Sequence, residues 1–201
     1  MKWAITGGCG FIGLRLIKRL LEATTDKIYV IDNQTVGTLK DLSALDCNPR
    51  IIEKNNFDLG ERRVGFLDCD IRNQDCYCEL LKDVQTIVHL AANTGVQPSL
   101  NNPNYDLDVN VAGTVALLEA CKNANVNKFI FASSGAPLGN QPPPLHEGLA
   151  PRPTSPYGAS KLAGEGYCSA YYHSFGVNTV ALRFGNVYGP GSFKKSSIVA
   201  K

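Results

Sequence analysis

Residues Lys2 to Gly13 constrain the fold more than any other stretch of this 201-residue chain. A short apolar run, Trp3-Ala4-Ile5, breaks into Gly7, Gly8, Gly10 and Gly13, while Phe11, Leu14, Ile17 and Leu21 recur at helical steps of three and four. The order is strand, tight turn, helix. Glycines in such a turn let backbone approach a pyrophosphate, and the helix N-terminus, headed by Phe11, Ile12 and Gly13, offers free N–H groups and a positive dipole end. A dinucleotide site begins in this way, although glycine-rich turns also arise by chance.

The next segment adds weight. Lys27-Ile28-Tyr29-Val30-Ile31 reads as a second strand ending in Asp32, at about the 20-residue distance where a dinucleotide site carries an acid for the ribose. A carboxylate there accepts from both adenosine ribose hydroxyls and repels a 2′-phosphate. With neutral Asn33 and Gln34 following, the expectation is NAD rather than NADP; the alternative is an ordinary aspartate at a strand end.

Composition narrows the classes. Hydrophobic residues at 44% suffice for one sizeable core, and a net charge of +2 without lysine or arginine runs gives no footprint for nucleic acid. No apolar stretch approaches the roughly 18 residues of a membrane span, and no signal-peptide pattern precedes the first strand. The expectation is a cytoplasmic chain with a small-molecule partner and no membrane. Seven cysteines raise the question of disulfides or metal, but only Cys76-Tyr77-Cys78 comes close in spacing and it has no matching second pair, so they read as buried fillers with no metal.

Further along, Asn33 to Arg63 is polar and too long for a bare loop, with a short helix expected near Leu39 to Leu45. Arg63 to Leu67 reads as a third strand that delivers Asp70 and Ile71 to its carboxyl end, as candidates to accept from the adenine amine and to pack on its ring. A loop-capping aspartate fits Asp70 nearly as well. Asn73 to Leu81 reads as a helix, and Thr86 to Leu90 as a strand buried on both faces. It leads into Ala91-Ala92, whose small side chains would let a cofactor lie against backbone. His89 within that strand is better read as a packed core residue than as a base. A long helix follows with Val111, Val115 and Leu118 on one face and Asn110 in its first turns. Lys128 to Ala132 reads as a strand presenting Ser133-Ser134. The proline-rich stretch from Gly135 to Pro156 reads as an ordered active-site loop. The alternation of strand and helix predicts a Rossmann-like, doubly wound parallel sheet with right-handed crossovers.

Ser155-Pro156-Tyr157-Gly158-Ala159-Ser160-Lys161 opens the next helix with Tyr and Lys at i and i+4, one turn apart on one face. A fixed ammonium and the positive ring of NAD⁺ would favour the phenolate and lower the tyrosine pKa from its usual value near 10, so that the pair moves a proton. A surface Tyr and Lys would show the same spacing; the upstream glycine turn and serine-bearing strand favour catalysis.

These residues, with Leu182-Arg183-Phe184-Gly185-Asn186-Val187-Tyr188-Gly189-Pro190, make the chain resemble the extended short-chain dehydrogenase/reductases that act on nucleotide sugars, and among them the UDP-galactose (UDP-glucose) 4-epimerase group. The resemblance implies that Gly7, Gly10, Phe11, Ile12, Gly13, Asp32, Asn33, Asp70, Ile71, Leu90, Ala91, Ala92, Asn110, Tyr157, Lys161 and Phe184 bind NAD. It further implies that Ser134 bonds the reacting hydroxyl, Tyr157 is the base, Lys161 also holds the nicotinamide ribose, and Asn110 supports that lysine. Asn186 would reach toward the diphosphate of a UDP-hexose, and the assembly would be a homodimer.

Two departures accompany the likeness. The family's Tyr before the glycine of the serine loop is Leu138 here, and the dehydratases' Asp-Glu after the Ser/Thr position is Gly135-Ala136. Family members also exceed 300 residues, so residues 1–201 are expected to be the NAD-binding domain, truncated before most of the sugar-nucleotide lobe and inactive alone. The alternatives are a 4,6-dehydratase or reductase of the same family, or a non-catalytic NAD-binding regulatory module on the same fold.

Overall fold

In the computed structural model, which describes residues 1–53 and 56–192, the alternating apolar runs pair into one parallel sheet. Its strands are β1 (Lys2–Thr6), β2 (Lys27–Asp32), β3 (Arg50–Ile51), β4 (Val64–Asp68), β5 (Thr86–His89), β6 (Lys128–Ser134) and β7 (Thr179–Phe184). They lie in the order β3-β4-β2-β1-β5-β6-β7. From β1 the chain winds outward on one side through β2 and β4, then returns to pair β5 with β1 and winds outward on the other side. The order therefore reverses between β1 and β5, and ligands bind at the carboxyl ends of strands flanking such a point.

Successive side chains on a strand point to opposite faces, and both faces here are covered. On one face, Tyr29, Ile31, Ile87, Phe129 and Phe131 pack with Leu117, Leu118 and Cys121 of α6 (Gly113–Ala124) and with Cys168 and Tyr171 of α7 (Pro156–Phe175). On the other, Ile5, Ile28, Val30, Phe66 and Val88 pack with Ile17 and Leu20 of α1 (Phe11–Ala23) and Leu42 of α2 (Leu39–Ser43). This is the doubly wound architecture expected from the alternation of elements.

Several boundaries differ from the sequence reading, each for a local reason. The polar stretch after Asp32 contains an edge strand, β3, in addition to the short helix expected there. Arg63 lies before β4, where its guanidinium donates to the carbonyls of Leu21 at 3.0 Å and Thr24 at 2.6 Å and so closes the C-terminal end of α1. The helix expected over Asn73 to Leu81 is split into a 3₁₀ turn, Gln74–Cys76, and α3 (Cys78–Leu81). Between them Tyr77 is fully buried and donates its hydroxyl to the Ile71 carbonyl at 2.7 Å. β5 stops at His89, and β6 continues through Ser133 and Ser134, which belong to the strand itself.

The long helix also differs. After α4 (Val96–Asn101) it begins as α5 (Pro103–Leu107), with Asn102 capping Tyr105 N–H at 3.0 Å, passes through a π-helical turn over Asp108–Ala112, and continues as α6. Asn110 thus sits in the middle of a helical rod rather than in its first turns. The wider turn shifts the inward face, which is Val109, Asn110, Gly113, Thr114, Leu117, Leu118 and Cys121, leaving Val111 and Val115 half-buried.

All seven cysteines are free, and Cys9, Cys69, Cys121 and Cys168 are buried fillers. Burial pushes the Cys168 thiol up to about 12. Among the described residues no helix is long and apolar enough to cross a membrane, and no group of three or more His, Cys, Asp and Glu is placed to hold a metal.

Candidate active site

The glycine turn leaves β1 exactly where the strand order reverses. Gly7 has φ +67°, and a Cβ there would sit 2.6 Å from the Ala91 backbone nitrogen. The ends of β1 and β5 therefore meet backbone to backbone, which only glycine permits. Gly10 precedes α1 and offers no side-chain cap, and the first turn of α1 carries no acidic residue. The amides of Phe11, Ile12 and Gly13 are thus left at an uncapped, positively polarised helix end beside the switch point. By contrast, α2 has a complete capping box from Thr38 and Asp41, and α7 is capped by Ser155, which accepts from Gly158 N–H at 3.1 Å.

Asp32 closes β2 on the same side. Its Oδ2 accepts from Cys9 N–H at 2.9 Å and its Oδ1 from Gln34 N–H at 2.8 Å, which ties the acid to the glycine turn. Burial raises its pKa, and these backbone donors partly offset that. Each oxygen keeps further lone-pair capacity for a ribose hydroxyl. Asn33 donates to Asp70 Oδ2 at 2.9 Å, and Asp70 is also gripped by Arg72, which holds its carboxyl well below the usual range. Ile71 is 4% exposed, and a Cβ on Gly113 would lie 2.8 Å from its Cδ1. Its side chain is committed to the core, leaving little of it to lie along a ring.

Leu90, Ala91 and Ala92 follow β5 and are half-buried. Thr6 fixes them: its carbonyl accepts from Leu90 N–H at 3.1 Å and its hydroxyl from Ala91 N–H at 3.3 Å. The same hydroxyl meets His89 Nδ1 at 2.7 Å, while His89 Nε2 meets Thr114 Oγ1 at 3.0 Å. His89 is a fully partnered core residue, and burial drives its pKa down to about 3.

Across the switch point, β6 presents Ser134, paired in register with Phe184 of β7. Gly135 N–H donates to the Phe184 carbonyl at 2.9 Å, and Ala136 N–H to Ser134 Oγ at 3.1 Å. Pro156 starts α7, and Tyr157 and Lys161 follow one turn apart. Tyr157 is half-buried and hydrogen-bonds Ser134. Lys161, 3% exposed, donates to the Ala132 carbonyl at 3.0 Å, with Nζ 4.9 Å from the Phe131 ring centre and 5.9 Å from that of Tyr157. Tyr157 thus lies between Ser134 at the end of β6 and Lys161 one helical turn on.

Burial is the largest influence on the ionisation of both Tyr157 and Lys161. Burial raises the Tyr157 pKa above its ordinary value, the Ser134 hydrogen bond lowers it in part, and the charge of Asp106 raises it further. Lys161 is pulled down to about 8 by burial, against an upward pull from Asp106. The protein's own groups therefore leave the tyrosine a phenol, with desolvation outweighing the Ser134 hydrogen bond.

The side-chain hydrogen bonds of Asn110 go elsewhere than to Lys161. Its Nδ2 faces the Asn93 carbonyl, Asp106 Oδ1 and Ser160 Oγ at 3.0, 3.0 and 3.1 Å, and its Oδ1 accepts from Asn93 N–H at 2.8 Å. Since Ser160 Oγ bonds the Tyr157 carbonyl at 3.0 Å, Asn110 supports the first turn of α7 from behind. Phe184 is half-buried at the end of β7, and Asn186 is exposed beyond it.

Sequence reading missed two residues. A Cβ on Gly37 would fall 1.8 Å from the Cys9 carbonyl oxygen, so the loop after Asp32 folds onto the glycine turn at a point where no side chain fits. Asp106, wholly buried behind the site, gave no signal because an acid on a helix ordinarily faces water.

Comparison with known proteins places this arrangement. The model of a family described as the NAD-dependent epimerase/dehydratase family matches residues 3–201. A UDP-glucose 4-epimerase of Mycolicibacterium smegmatis is 35% identical over 193 residues, covering 94% of this chain and 57% of that protein. Among solved structures, the UDP-glucose 4-epimerase of Thermus thermophilus in complex with NAD superposes with a TM-score of 0.79 at 34% identity, over 95% of this chain and 57% of that one. The dTDP-glucose 4,6-dehydratase of Streptomyces venezuelae, with NAD bound, gives a TM-score of 0.83 at 29% identity, over 94% and 57%. The chain thus spans a little over half the length of these relatives.

Proposed function

This chain belongs to the NAD-dependent epimerase/dehydratase family, and from that membership we propose that residues 1–201 form the NAD-binding and catalytic unit of a nucleotide-sugar 4-epimerase acting on a UDP-hexose. The residues fit NAD: the uncapped head of α1 suits a pyrophosphate, Asp32 a ribose diol, and the Gly7–Ala91 approach leaves backbone at the floor of the groove. When bound, NAD would supply a hydride acceptor that later returns the hydride.

The chain's own groups handle the proton. Ser134 bonds the reacting sugar hydroxyl and orients it toward Tyr157, whose oxygen takes the proton; Lys161 holds the ribose and contributes positive charge that favours the phenolate. Because Tyr157 is a phenol when only the protein's charges act on it, it becomes a base once a second positive charge lies beside it. Phe184 would flank the nicotinamide and Asn186 would meet the diphosphate.

The observation that carries epimerisation over dehydration is Gly135-Ala136 after Ser134. Elimination of water needs an additional acid and base, and here the position offers a hydrogen and a methyl group, with Ala136 contributing only its N–H to Ser134. Glu147 is the one carboxylate on the proline loop, and it is exposed. The likeness to the 4,6-dehydratase does not by itself fix the reaction, because one fold hosts several activities.

The test uses the full-length protein with a panel of UDP-sugars in deuterated water. A product isomer of unchanged mass without carbon-bound deuterium is expected; a 4-keto-6-deoxy product carrying deuterium at C5 overturns the reading. Titration should show NAD binding more tightly than NADP, and the 201-residue chain alone should retain NAD affinity without turnover. The proposal includes a cytoplasmic homodimer, which sedimentation of the full-length protein tests.

A further inference from the structure

Two carboxylates end neighbouring strands at the side of the groove assigned to adenosine. Asp32 closes β2 and Asp68 closes β4, and the two are paired in register across a strand spacing of about 4.8 Å. Alternation along each strand puts both on one face: Ile28 and Val30 before Asp32, and Val64 and Phe66 before Asp68, all pack in the core beneath α1 and α2. Asp32 is 8% exposed, whereas Asp68 is open to solvent. Among the described residues neither carboxylate is in a salt bridge.

Gln34 ties the two acids together. Its backbone N–H donates to Asp32 Oδ1 at 2.8 Å, its Nε2 donates to Asp68 Oδ2 at 2.7 Å, and its Oε1 accepts from Leu39 N–H at 3.0 Å. These bonds hold Gln34 at φ +59°, a left-handed conformation that is costly for a residue with a side chain and that gathers at functional sites. Cys9 N–H of the glycine turn, by contrast, bonds Asp32 Oδ2. One oxygen of Asp32 is therefore tied to the glycine turn and the other to the segment that carries Asp68.

That division orients a ribose diol. In an adenosine 5′-diphosphate the 3′-oxygen lies nearer the 5′ chain and the 2′-oxygen nearer the base. With the pyrophosphate at the head of α1, the 3′-oxygen belongs on the glycine-turn side of Asp32 and the 2′-oxygen on the side of Gln34 and Asp68. We propose that Asp68 is a second specificity-determining residue for the cofactor, placing a negative charge at the corner into which a 2′-phosphate would project, so that rejection of NADP does not rest on Asp32 alone. An exposed aspartate is anionic at neutral pH, and a 2′-phosphate would bring about two negative charges within a screening length of it. The 2′-hydroxyl of NAD brings none, so Asp68 discriminates without contributing to NAD affinity. The inference rests on the NAD reading given above.

The experiment measures dissociation constants of NAD and NADP for the full-length protein, purified free of nucleotide, by isothermal titration calorimetry at low ionic strength. Asp68→Asn removes the charge and keeps an oxygen for Gln34, while Asp68→Glu keeps the charge. Asp68→Asn should lower the NADP-to-NAD ratio of dissociation constants by about 3–10-fold, chiefly through tighter NADP. The gain should fade in about 0.5 M salt, where screening acts within a few ångströms. Asp68→Glu should keep the wild-type ratio. Where NADP binding to wild type is too weak to read, the same comparison is made in an Asp32→Asn background. An unchanged ratio in Asp68→Asn overturns the inference, as does a gain undiminished by salt, which would trace it to shape rather than charge. Wild-type protein that binds NADP more tightly than NAD overturns the cofactor reading itself, so the two failures are distinct.

Discussion

Glu165, one turn after Lys161 on α7, grips Arg183 of β7 with two hydrogen bonds, Nε to Oε1 at 2.8 Å and Nη2 to Oε2 at 2.7 Å. The same carboxylate accepts from the hydroxyl of Ser133, the neighbour of Ser134. Burial works to raise the Glu165 pKa, but Arg183 and Ser133 prevail and hold it below its ordinary value. One side chain thereby fastens the helix of Tyr157 and Lys161 to the two strands that carry Ser134 and Phe184.

Removing that fastening should show in stability. Glu165→Ala leaves Arg183 without its main acceptor in a setting where the pair is only 13–19% exposed. A loss of roughly 2–3 kcal/mol is expected, with Glu165→Gln, which retains shape and hydrogen bonding, losing about half as much. Urea unfolding measures both, and a loss under about 0.5 kcal/mol for Glu165→Ala would show that the network contributes nothing to the fold.

Two glycines in α7 should respond in opposite directions to the same methyl group. A Cβ on Gly164 would meet Phe131 Cζ at 2.4 Å, whereas one on Gly166 meets nothing within 4 Å. Gly164→Ala must push the Phe131 ring, which also lies under Lys161 Nζ, and should cost about 1–3 kcal/mol. Gly166→Ala sits on the exposed side of the helix and should stabilise by about 0.5–1 kcal/mol through helix propensity. Thermal unfolding of the pair reads the difference, and equal effects would mean that α7 does not pack on β6 at this point.

The core histidine sets an acid response. His89 is neutral in the fold, with its pKa driven from 6.5 to about 3 by burial and then by the nearby Lys161 charge. Between those values the unfolded chain binds a proton that the folded chain does not, so stability falls as pH drops through 6.5 and stops falling, for this group, near 3. The slope is about 1.4 kcal/mol per pH unit. His89→Gln, which can still bond Thr6 and Thr114, should lack that component when its denaturant midpoints are compared with wild type from pH 7 to pH 4. Parallel curves would contradict a neutral buried His89.

What the sequence made legible follows from how local each signal is. The glycine turn, Asp32, and the Tyr157–Lys161 spacing are each encoded within a few residues, and the fold brings them to the same edge of the sheet. The core role of His89 was legible because an apolar strand offers it no water. Where placement depends on contacts distant in sequence, the reading failed. The π turn that carries Asn110 into the helix interior, the backbone contact that demands Gly37, and the burial of Asp106 all arise from packing between elements. The desolvation of Tyr157 is likewise a property of the assembled site that the spacing does not show.

That ionisation separates the roles of the two catalytic candidates. Tyr157 is half-buried beside Ser134, so deleting its oxygen removes a proton acceptor while leaving the glycine turn, Asp32 and the head of α1 intact. In the full-length protein Tyr157→Phe should lower kcat by about 10²–10⁴-fold, the range of a positioned general base, with NAD affinity of the purified protein within a few-fold of wild type. Lys161→Ala should lower both, because it deletes a positive charge from the site and also leaves the Ala132 carbonyl and the Phe131 face without their partner. The pH profile gives a second discrimination. Once NAD supplies the additional positive charge, the midpoint of the rising limb of kcat should lie below that of free tyrosine, and Lys161→Met should move it upward by restoring the phenol's preference for its proton. Near wild-type turnover in Tyr157→Phe, or a rising limb that ignores Lys161, would require the base to be sought elsewhere in the site.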